Sequence, residues 1–359
     1  MQRKIFAGHS CRSRCKDGSG RVFTVRIVAG FDIGASKTEA VILEQGSNRP
    51  EIRTVPSVGV PCMEAGKSLS FFEELLDSLP KIPSHAVINF VGRNKEGFRT
   101  ALMRRGAMDV FASREAEAGV ALFAALESDC KGVLMAGTGT VLAVSAGDSL
   151  RVIDGWGWKF GDAGSGYRTG RLALQEALRR MDLGLPVPLT LPWETPPLTE
   201  AEQWVLFRDT VVDWAYGLTR RQVAAFTAQV GELAEKGDAW ALGILEQAAG
   251  DLQELIRIGA EIGGGMVLFM GGLSRCRPLV RLLQDRCRKA GLHMVLSSIR
   301  LSTAAVAMAA RRAGWDTKLS DLMPAIERSE AHEWEFESPL KQRGSLQEKE
   351  KRTVKKRIQ

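Results

Sequence analysis

The sequence predicts an α/β protein built in two halves, and three observations carry that expectation. The chain has 359 residues, more than one hydrophobic core ordinarily organises, so two domains of about 150 residues each are expected. Short apolar runs with strand character alternate with stretches whose apolar residues recur at helical spacing. In each half a strand-like run ends in a glycine turn that leads into a further strand or a helix, although no repeat is visible by residue identity.

In chain order, VRIVAGFDIG (25–34) and EAVILE (39–44) read as strands flanking a turn, and EAGKSLSFFEELLDSL (64–79) as an amphipathic helix. HAVINFVG (85–92) reads as a buried strand, SREAEAGVALFAAL (113–126) as a helix with Ser113 as N-cap, and KGVLMAGTGTVLAVSAGD (131–148) as strand, turn, strand. A Gly- and Trp-rich stretch (154–170) precedes a helix over 170–182. The Pro-rich GLPVPLTLPWETPPLTEAE then reads as a loop, lid or insertion. Two long helices follow over 218–260, broken at Gly237. GGMVLFMGGLSRC (264–276) is strand, glycine turn and helix start; LHMVLSSI is a last strand and STAAVAMAARRAG (302–314) a closing helix.

Composition narrows the function classes. Apolar residues make up 45% and charged residues 25%, as in globular proteins, and no run approaches the about 18 apolar residues of a membrane span. The basic start lacks the apolar core of a secretory signal; an Arg-rich organellar presequence is one reading of residues 1–24, and an extension or an upstream start another. The net charge of +7 sits at the ends: +5 over residues 1–24 and +6 over 340–359, leaving about −4 between them. Charged ends of this kind read as solvated tails rather than a nucleic-acid surface. The six cysteines (11, 15, 62, 130, 276, 287) show no zinc spacing. A cytoplasmic protein is expected.

The three glycine turns carry the chemistry. DIGASKT (32–38) alone reads equally as a hairpin turn or a phosphate loop. GTGT (137–140) places two glycines around a hydroxyl between apolar strands, leaving backbone N–H groups free to face an anion. MGGLS (270–274) opens a helix, where the backbone can approach a flat ligand and the helix N-terminus favours negative charge. Any one of these turns is a weak signal; three in this order, each after a buried strand, are hard to reach by chance.

Together these segments resemble the BadF/BadG/BcrA/BcrD-type ATPase and N-acetylglucosamine kinase group of the sugar-kinase, actin and heat-shock ATPase superfamily. The resemblance runs from about Val28 to Gly314. Its most specific stretch, GWGWKFGDAGSGYRTG (155–170), looks like the family's Gly-Trp-Gly…Gly-Asp-Glu-Gly-Ser segment, and LAEKGDAWALGILEQAAGDL (233–252) resembles the helix pair before the adenosine motif. The resemblance implies two ribonuclease-H-like (actin-like ATPase) domains with a nucleotide cleft between them. They would span 25–120 and 121–315, with 1–24 as an extension and 316–359 as a charged tail. It implies ATP and Mg²⁺, a small-molecule sugar acceptor and a homodimer. Asp32 would hold Mg²⁺, with Gly34, Ser36, Lys37 and Thr38 lining the phosphates. Gly137, Thr138 and Gly139 would contact the β- and γ-phosphates, with Thr140 edging toward the acceptor. Ala234, Gly271, Gly272, Leu273 and Ser274 would receive the nucleoside. Gly155, Trp156, Gly157 and Asp162 fall where kinase members bind the sugar.

Three departures from the family pattern bear on function. Arg114-Glu115 stands where kinase members carry Asn-Asp, so Glu115 becomes the candidate base for the acceptor hydroxyl. Glu117, two residues on, faces elsewhere on the helix. Ala163 replaces the Glu of Gly-Asp-Glu-Gly-Ser, and VPSVGVPCMEAG lacks the Asn that touches the acyl-amino group in sugar kinases. The leading expectation is an ATP-dependent kinase of an amino sugar or related hexose. The alternatives are an ATP-binding sensor or degenerate kinase and an ATPase activator of a radical dehydratase or reductase.

Overall fold

The computed structural model of the chain describes residues 27–34, 37–45, 51–56, 65–79, 81–90, 95–147, 149–193, 201–297, 299–316, 318–328 and 332–333. Its first half comprises β1 (Ile27–Ile33), β2 (Lys37–Glu44), β3 (Glu51–Pro56), α1 (Ala65–Asp77), β4 (His85–Phe90), α2 (Lys95–Arg104), β5 (Asp109–Ser113) and α3 (Arg114–Glu127). The second half comprises β6 (Gly132–Ala136), β7 (Thr140–Ala146), β8 (Ser149–Asp154), α4 (Gly166–Asp182), α5 (Ala201–Gly217), α6 (Arg220–Glu235), α7 (Ala239–Gly263) and β9 (Val267–Met270). A 3-10 turn (Gly272–Arg275), α8 (Arg277–Lys289), β10 (Met294–Leu296), α9 (Leu301–Arg312), α10 (Leu319–Arg328) and β11 (His332–Glu333) complete it.

The two halves repeat one topology. The first sheet runs β11-β3-β2-β1-β4-β5 and the second β10-β9-β6-β7-β8. In each, three antiparallel strands (β1-β2-β3; β6-β7-β8) are extended from their first member by two parallel ones (β4-β5; β9-β10). This is the ribonuclease-H-like order, and the α/β class with two such units is as expected. The repetition escapes residue identity because the shared demand is only an apolar strand followed by a turn.

Strand alternation gives each sheet two apolar faces. On the first sheet, Ala29, Phe31, Ile33, Ile88 and Phe90 pack under α1 and α2, while Val28, Val41 and Val87 meet α3, α9 and α10. On the second sheet, Leu134, Leu142 and Phe269 lie beneath α4, α6, α7 and α8. Helix α3 serves both sheets: Val120, Phe123 and Ala124 face the first, whereas Ala121 and Ala125 pack with Val133, Met135, Leu268 and Met270 of the second. Helix α9, which the sequence groups with the second unit, crosses the first sheet. It approaches so closely that a Cβ on Gly30 would collide with the Val306 amide.

Several elements differ from the sequence reading. Helix α4 starts at Gly166, within the Gly- and Trp-rich stretch, because the Ser165 side chain caps it by accepting from the Arg168 amide. Helix α5 leaves no helical signature in the sequence, because its apolar residues lie on every face and hide the period. Residues 185–193 of the Pro-rich connection form neither helix nor strand. Within the expected tail, α10 forms because Leu319, Leu322 and Met323 share one face against α9. The readings for residues 1–24 and 334–359, and the Ser113 side chain, lie outside the described residues.

Candidate active site

The three glycine turns fall at equivalent ends of the sheets. The first joins β1 to β2, the second joins β6 to β7, and the third follows β9, the parallel neighbour of β6. Ligands of α/β sheets collect at such carboxyl ends, where loops converge and strands leave amides unpaired.

At the first turn, Asp32 lies one residue before the end of β1, level with Asn89 on β4 and Glu39 on β2. All three project from the sheet face that receives α9. The Asn89 Nδ2 donates to Asp32 Oδ1 at 2.8 Å, which fixes the carboxylate. Asn89 is 1% exposed, and its own Oδ1 is buried without a partner among the described residues. Glu39 is also buried; it accepts from the Ser302 hydroxyl and from Arg300 at 3.2 Å, tying the turn to the start of α9. Gly34 is half-buried in the turn. Thr38 is not brought to Asp32: paired with Ile33, it lies on the opposite face, fully buried, its hydroxyl without a partner among the described residues. Ser36 and the Lys37 and Glu115 side chains lie outside the described residues. The backbone places Glu115 in the first turn of α3, two positions after Ser113, which is level with Asn89.

The second turn is closed by the Gly137 amide donating to the Gly139 carbonyl at 2.8 Å. The start of α4 docks on it: the Gly166 amide donates to Gly137 O at 2.8 Å and the Tyr167 amide to Thr138 O at 3.2 Å. Asp162, 3% exposed, reaches the same turn. Its Oδ1 accepts the Thr140 amide at 3.2 Å, and its Oδ2 accepts Arg220 Nη2 at 2.6 Å. Burial pushes the Asp162 carboxyl up, against the pull of Arg220. The Thr140 hydroxyl is buried without a partner among the described residues.

The loop from 154 to 165 is organised by Asp154, whose two carboxylate oxygens accept the Asp162 and Ala163 amides, each at 2.8 Å. The Gly164 amide donates to Asp251 at 3.1 Å. Asp154 and Asp162 both hold left-handed backbone, with φ of 62° and 60°, a conformation Asp tolerates better than most residues. Gly155 and Gly157 share that region of φ. Between these anchors the loop presents Trp156, 81% exposed, and Phe160, 90% exposed. Trp158 packs edge-on against Tyr167.

At the third turn Gly271 has φ 104°, and a Cβ there would collide with the Ala136 carbonyl, so only glycine fits. The close approach sets the second and third turns against each other: a Cβ on Gly137 would stand 3.8 Å from the Gly272 amide. Leu273 is buried, and the Ser274 hydroxyl donates to Gly271 O at 2.8 Å. Ala234, near the end of α6, is buried in the same apolar cluster as Leu273.

The structure therefore joins Asp32 with Asn89 and Glu39, and Thr140 and Asp162 with Arg220 at the second turn, which itself meets the third. Sequence reasoning missed Asn89, Arg220 and the organising role of Asp154. Asn89 left a signal, a polar residue closing an apolar strand; Arg220, 58 residues from its partner, left none. The donor set suits Mg²⁺, which is typically bound through one or two carboxylates with waters and substrate phosphates. Asp32 offers one fixed carboxylate. Among the described residues no group of three His, Cys, Asp or Glu is placed to hold a metal. At Gly139 and Gly271 a side chain would collide with its neighbours, and such bare backbone suits a nucleotide. Among the described residues no helix is long and apolar enough to cross a membrane.

Comparison with known proteins accords with this geometry. A family model described as the BadF/BadG/BcrA/BcrD ATPase family matches residues 29–310. A search of curated proteins found no match. Among solved structures, a protein provisionally described as an N-acetylglucosamine kinase from Chromobacterium violaceum aligns at 19% identity with a TM-score of 0.59, covering 79% of this chain and 99% of that one. A similar assignment from Porphyromonas gingivalis gives 15% identity and a TM-score of 0.52, covering 76% and 95%. A ROK family glucokinase from Streptomyces griseus, in complex with glucose and AMPPNP, gives 14% and 0.50, covering 79% and 99%. At these identities the likeness is one of fold: the two-domain, actin-like ATPase architecture of sugar kinases.

Proposed function

The chain belongs to the BadF/BadG/BcrA/BcrD ATPase family, and from that premise we propose that it transfers the γ-phosphoryl group of ATP to a hydroxyl of an amino sugar or related hexose. The observation that carries this reading is the convergence of Asp162, Thr140 and the docked start of α4 on the second glycine turn, itself in contact with the third. Such a site positions phosphates and an acceptor together, which is most of what phosphoryl transfer requires of a protein. The kinase neighbours support a small-molecule sugar as the acceptor.

In this reading Gly34, Ser36 and Lys37 line the phosphates from the first turn, and Gly137, Thr138 and Gly139 line them from the second. Gly271, Gly272, Leu273 and Ser274 flank the nucleoside, with Ala234 supporting them from the core. Asp32, aligned by Asn89, would hold Mg²⁺, which neutralises phosphate charge when bound. Gly155, Trp156, Gly157 and Asp162 form the acceptor side, where the Asp154 bonds hold the loop in place. Glu115 is the base: the acceptor oxygen bonds to the γ-phosphorus as the bond from that phosphorus to the β–γ bridging oxygen breaks. The bonding pair leaves with ADP, and the hydroxyl proton passes to the Glu115 carboxylate. The division 25–120 and 121–315, with α9 packed on the first sheet, gives the two units that close on substrate, excluding water from the reacting phosphate. The reading includes a cytoplasmic homodimer.

The test is ADP release from Mg²⁺-ATP against a panel of hexoses and amino sugars. Stimulation by one class of sugar supports the reading and names the acceptor; nucleotide binding with no stimulation by any sugar counts against it.

A further inference from the structure

We propose that Arg220 is a further phosphate-binding residue: its guanidinium, held beside Gly139 by Asp162, takes the terminal phosphate of a bound nucleoside triphosphate and so separates triphosphate from diphosphate. This rests on the reading above and adds to it a residue, remote in sequence, that the resemblance does not supply.

Arg220 is the first residue of α6, and its backbone is fixed. The Thr219 side chain accepts the Gln222 amide while the Gln222 side chain accepts the Thr219 amide, a reciprocal capping box. Helix α6 is then locked to α4. The Thr227 hydroxyl donates to Gly166 O at 2.7 Å, and a Cβ on Gly170 would collide with the Val223 carbonyl. The helix whose start docks on the second turn is therefore the one that holds Arg220 in place.

The position is electrostatically costly without an anion. The first turn of α6 carries Arg220 and Arg221 and no acidic residue, so its cations oppose the positive end of the helix dipole. Asp162 supplies one carboxylate and occupies one edge of the guanidinium at 2.6 Å. An arginine has five donors. The Arg220 Nε is buried with no acceptor among the described residues, and so is the hydroxyl of Thr140, the residue whose amide holds the other Asp162 oxygen. Two buried groups without partners among the described residues thus flank one carboxylate, which calls for an explanation.

The guanidinium also touches the turn itself. A Cβ on Gly139 would collide with Arg220 Nη2 and stand 2.9 Å from Asp162 Oδ1. An anion seated on the 137–139 turn has this guanidinium as its neighbouring cation. The planar fork can keep Asp162 on one edge while a phosphate oxygen takes another, which a lysine could not do. A purely structural Arg220–Asp162 tie makes a different prediction, because loosening it would disturb both nucleotides alike.

The experiment is titration calorimetry of the full chain in Mg²⁺ with AMPPNP and with ADP, on wild type, Arg220→Gln and Arg220→Lys. Loss of a charge-assisted bond to the terminal phosphate predicts that Arg220→Gln weakens AMPPNP about tenfold to a hundredfold, with ADP unchanged. Arg220→Lys should show a smaller loss of the same selectivity. An AMPPNP-to-ADP ratio in Arg220→Gln equal to wild type, including an equal fall for both nucleotides, overturns the inference alone. Should Arg220→Gln fail to fold, a wild-type ratio in Arg220→Lys overturns it equally. Wild type that binds neither nucleotide overturns the functional reading and this inference with it.

Discussion

Asn89 and Asp32 face each other across neighbouring parallel strands, and the Asn89 amide nitrogen donates to the Asp32 carboxylate at 2.8 Å. The bond leaves one Asp32 oxygen's direction fixed before any ligand arrives. Supports of this kind typically change metal affinity or activity by about 10- to 100-fold when removed. Asn89→Ala is expected to raise by about that factor the Mg²⁺ concentration needed for nucleotide binding, leaving the far-ultraviolet circular dichroism unchanged. A Mg²⁺ dependence equal to wild type would remove Asn89 from the account.

Gly30 tests how tightly α9 closes on β1. A Cβ there would meet the Val306 amide and the Ser302 carbonyl, both backbone groups that cannot swing aside. Gly30→Ala is expected to cost about 1–3 kcal/mol or more, seen as a Tm lowered by several degrees. A Tm equal to wild type would mean that α9 can lift from the sheet at no cost.

Asp154 satisfies two backbone amides of the loop that carries Asp162. Asp154→Ala leaves both without that acceptor and frees the acceptor side of the site. A displacement near 1 Å costs about a hundredfold in rate, so kcat/KM for the sugar is expected to fall on that scale. ADP affinity, measured by calorimetry, should stay at the wild-type value, while AMPPNP weakens because the loop also carries Asp162, the partner of Arg220. A fall in ADP affinity instead would assign Asp154 to the second turn rather than to the acceptor loop.

His85, at the start of β4, is a titration probe of the first sheet. Burial pushes its pKa below the ordinary 6.5, with Asp109 raising it and Arg312 lowering it. Its Nδ1 is buried without a partner among the described residues. The unfolded chain therefore binds the proton more tightly than the folded one. The stability this gives is present above pH 6.5 and is lost as pH falls through the lower folded value. Tm measured between pH 8 and 5 should drop on the acid side, and His85→Gln should flatten that drop. An identical acid limb in the variant would place the linkage elsewhere.

Much of this fold is legible in the sequence because strands and glycine turns leave local signatures. The alternation around Asp32, the GTGT hairpin and the break at Gly237 all appear in the chain as they do in the structure. Thr38 is instructive. The turn motif groups it with Asp32, but the period of two along β2 sends it to the opposite face, so a motif read as a string loses the face each residue occupies. Asp154 reads as a turn residue; that its two oxygens organise the loop emerges only once the chain returns to it at Asp162 and Ala163. Arg220 is silent for a stronger reason. Its importance comes from α6 packing against α4, a tertiary contact with no local pattern. Helix α5 was hidden because Trp204, Val205, Leu206 and Phe207 are apolar in succession, which erases the amphipathic period.

The central claim, acceptor phosphorylation at the junction of the glycine turns, is tested most directly by the product. Wild type and Glu115→Gln would be incubated with Mg²⁺-ATP and the stimulating sugar, and the phosphorylated sugar quantified by mass spectrometry against ADP formed. The account predicts one phosphosugar per ADP in wild type. It predicts a loss of about a hundredfold or more in the variant, from the lower end upward of what a positioned general base contributes, with AMPPNP binding intact. ADP formed without phosphosugar, or a variant as active as wild type, would contradict it.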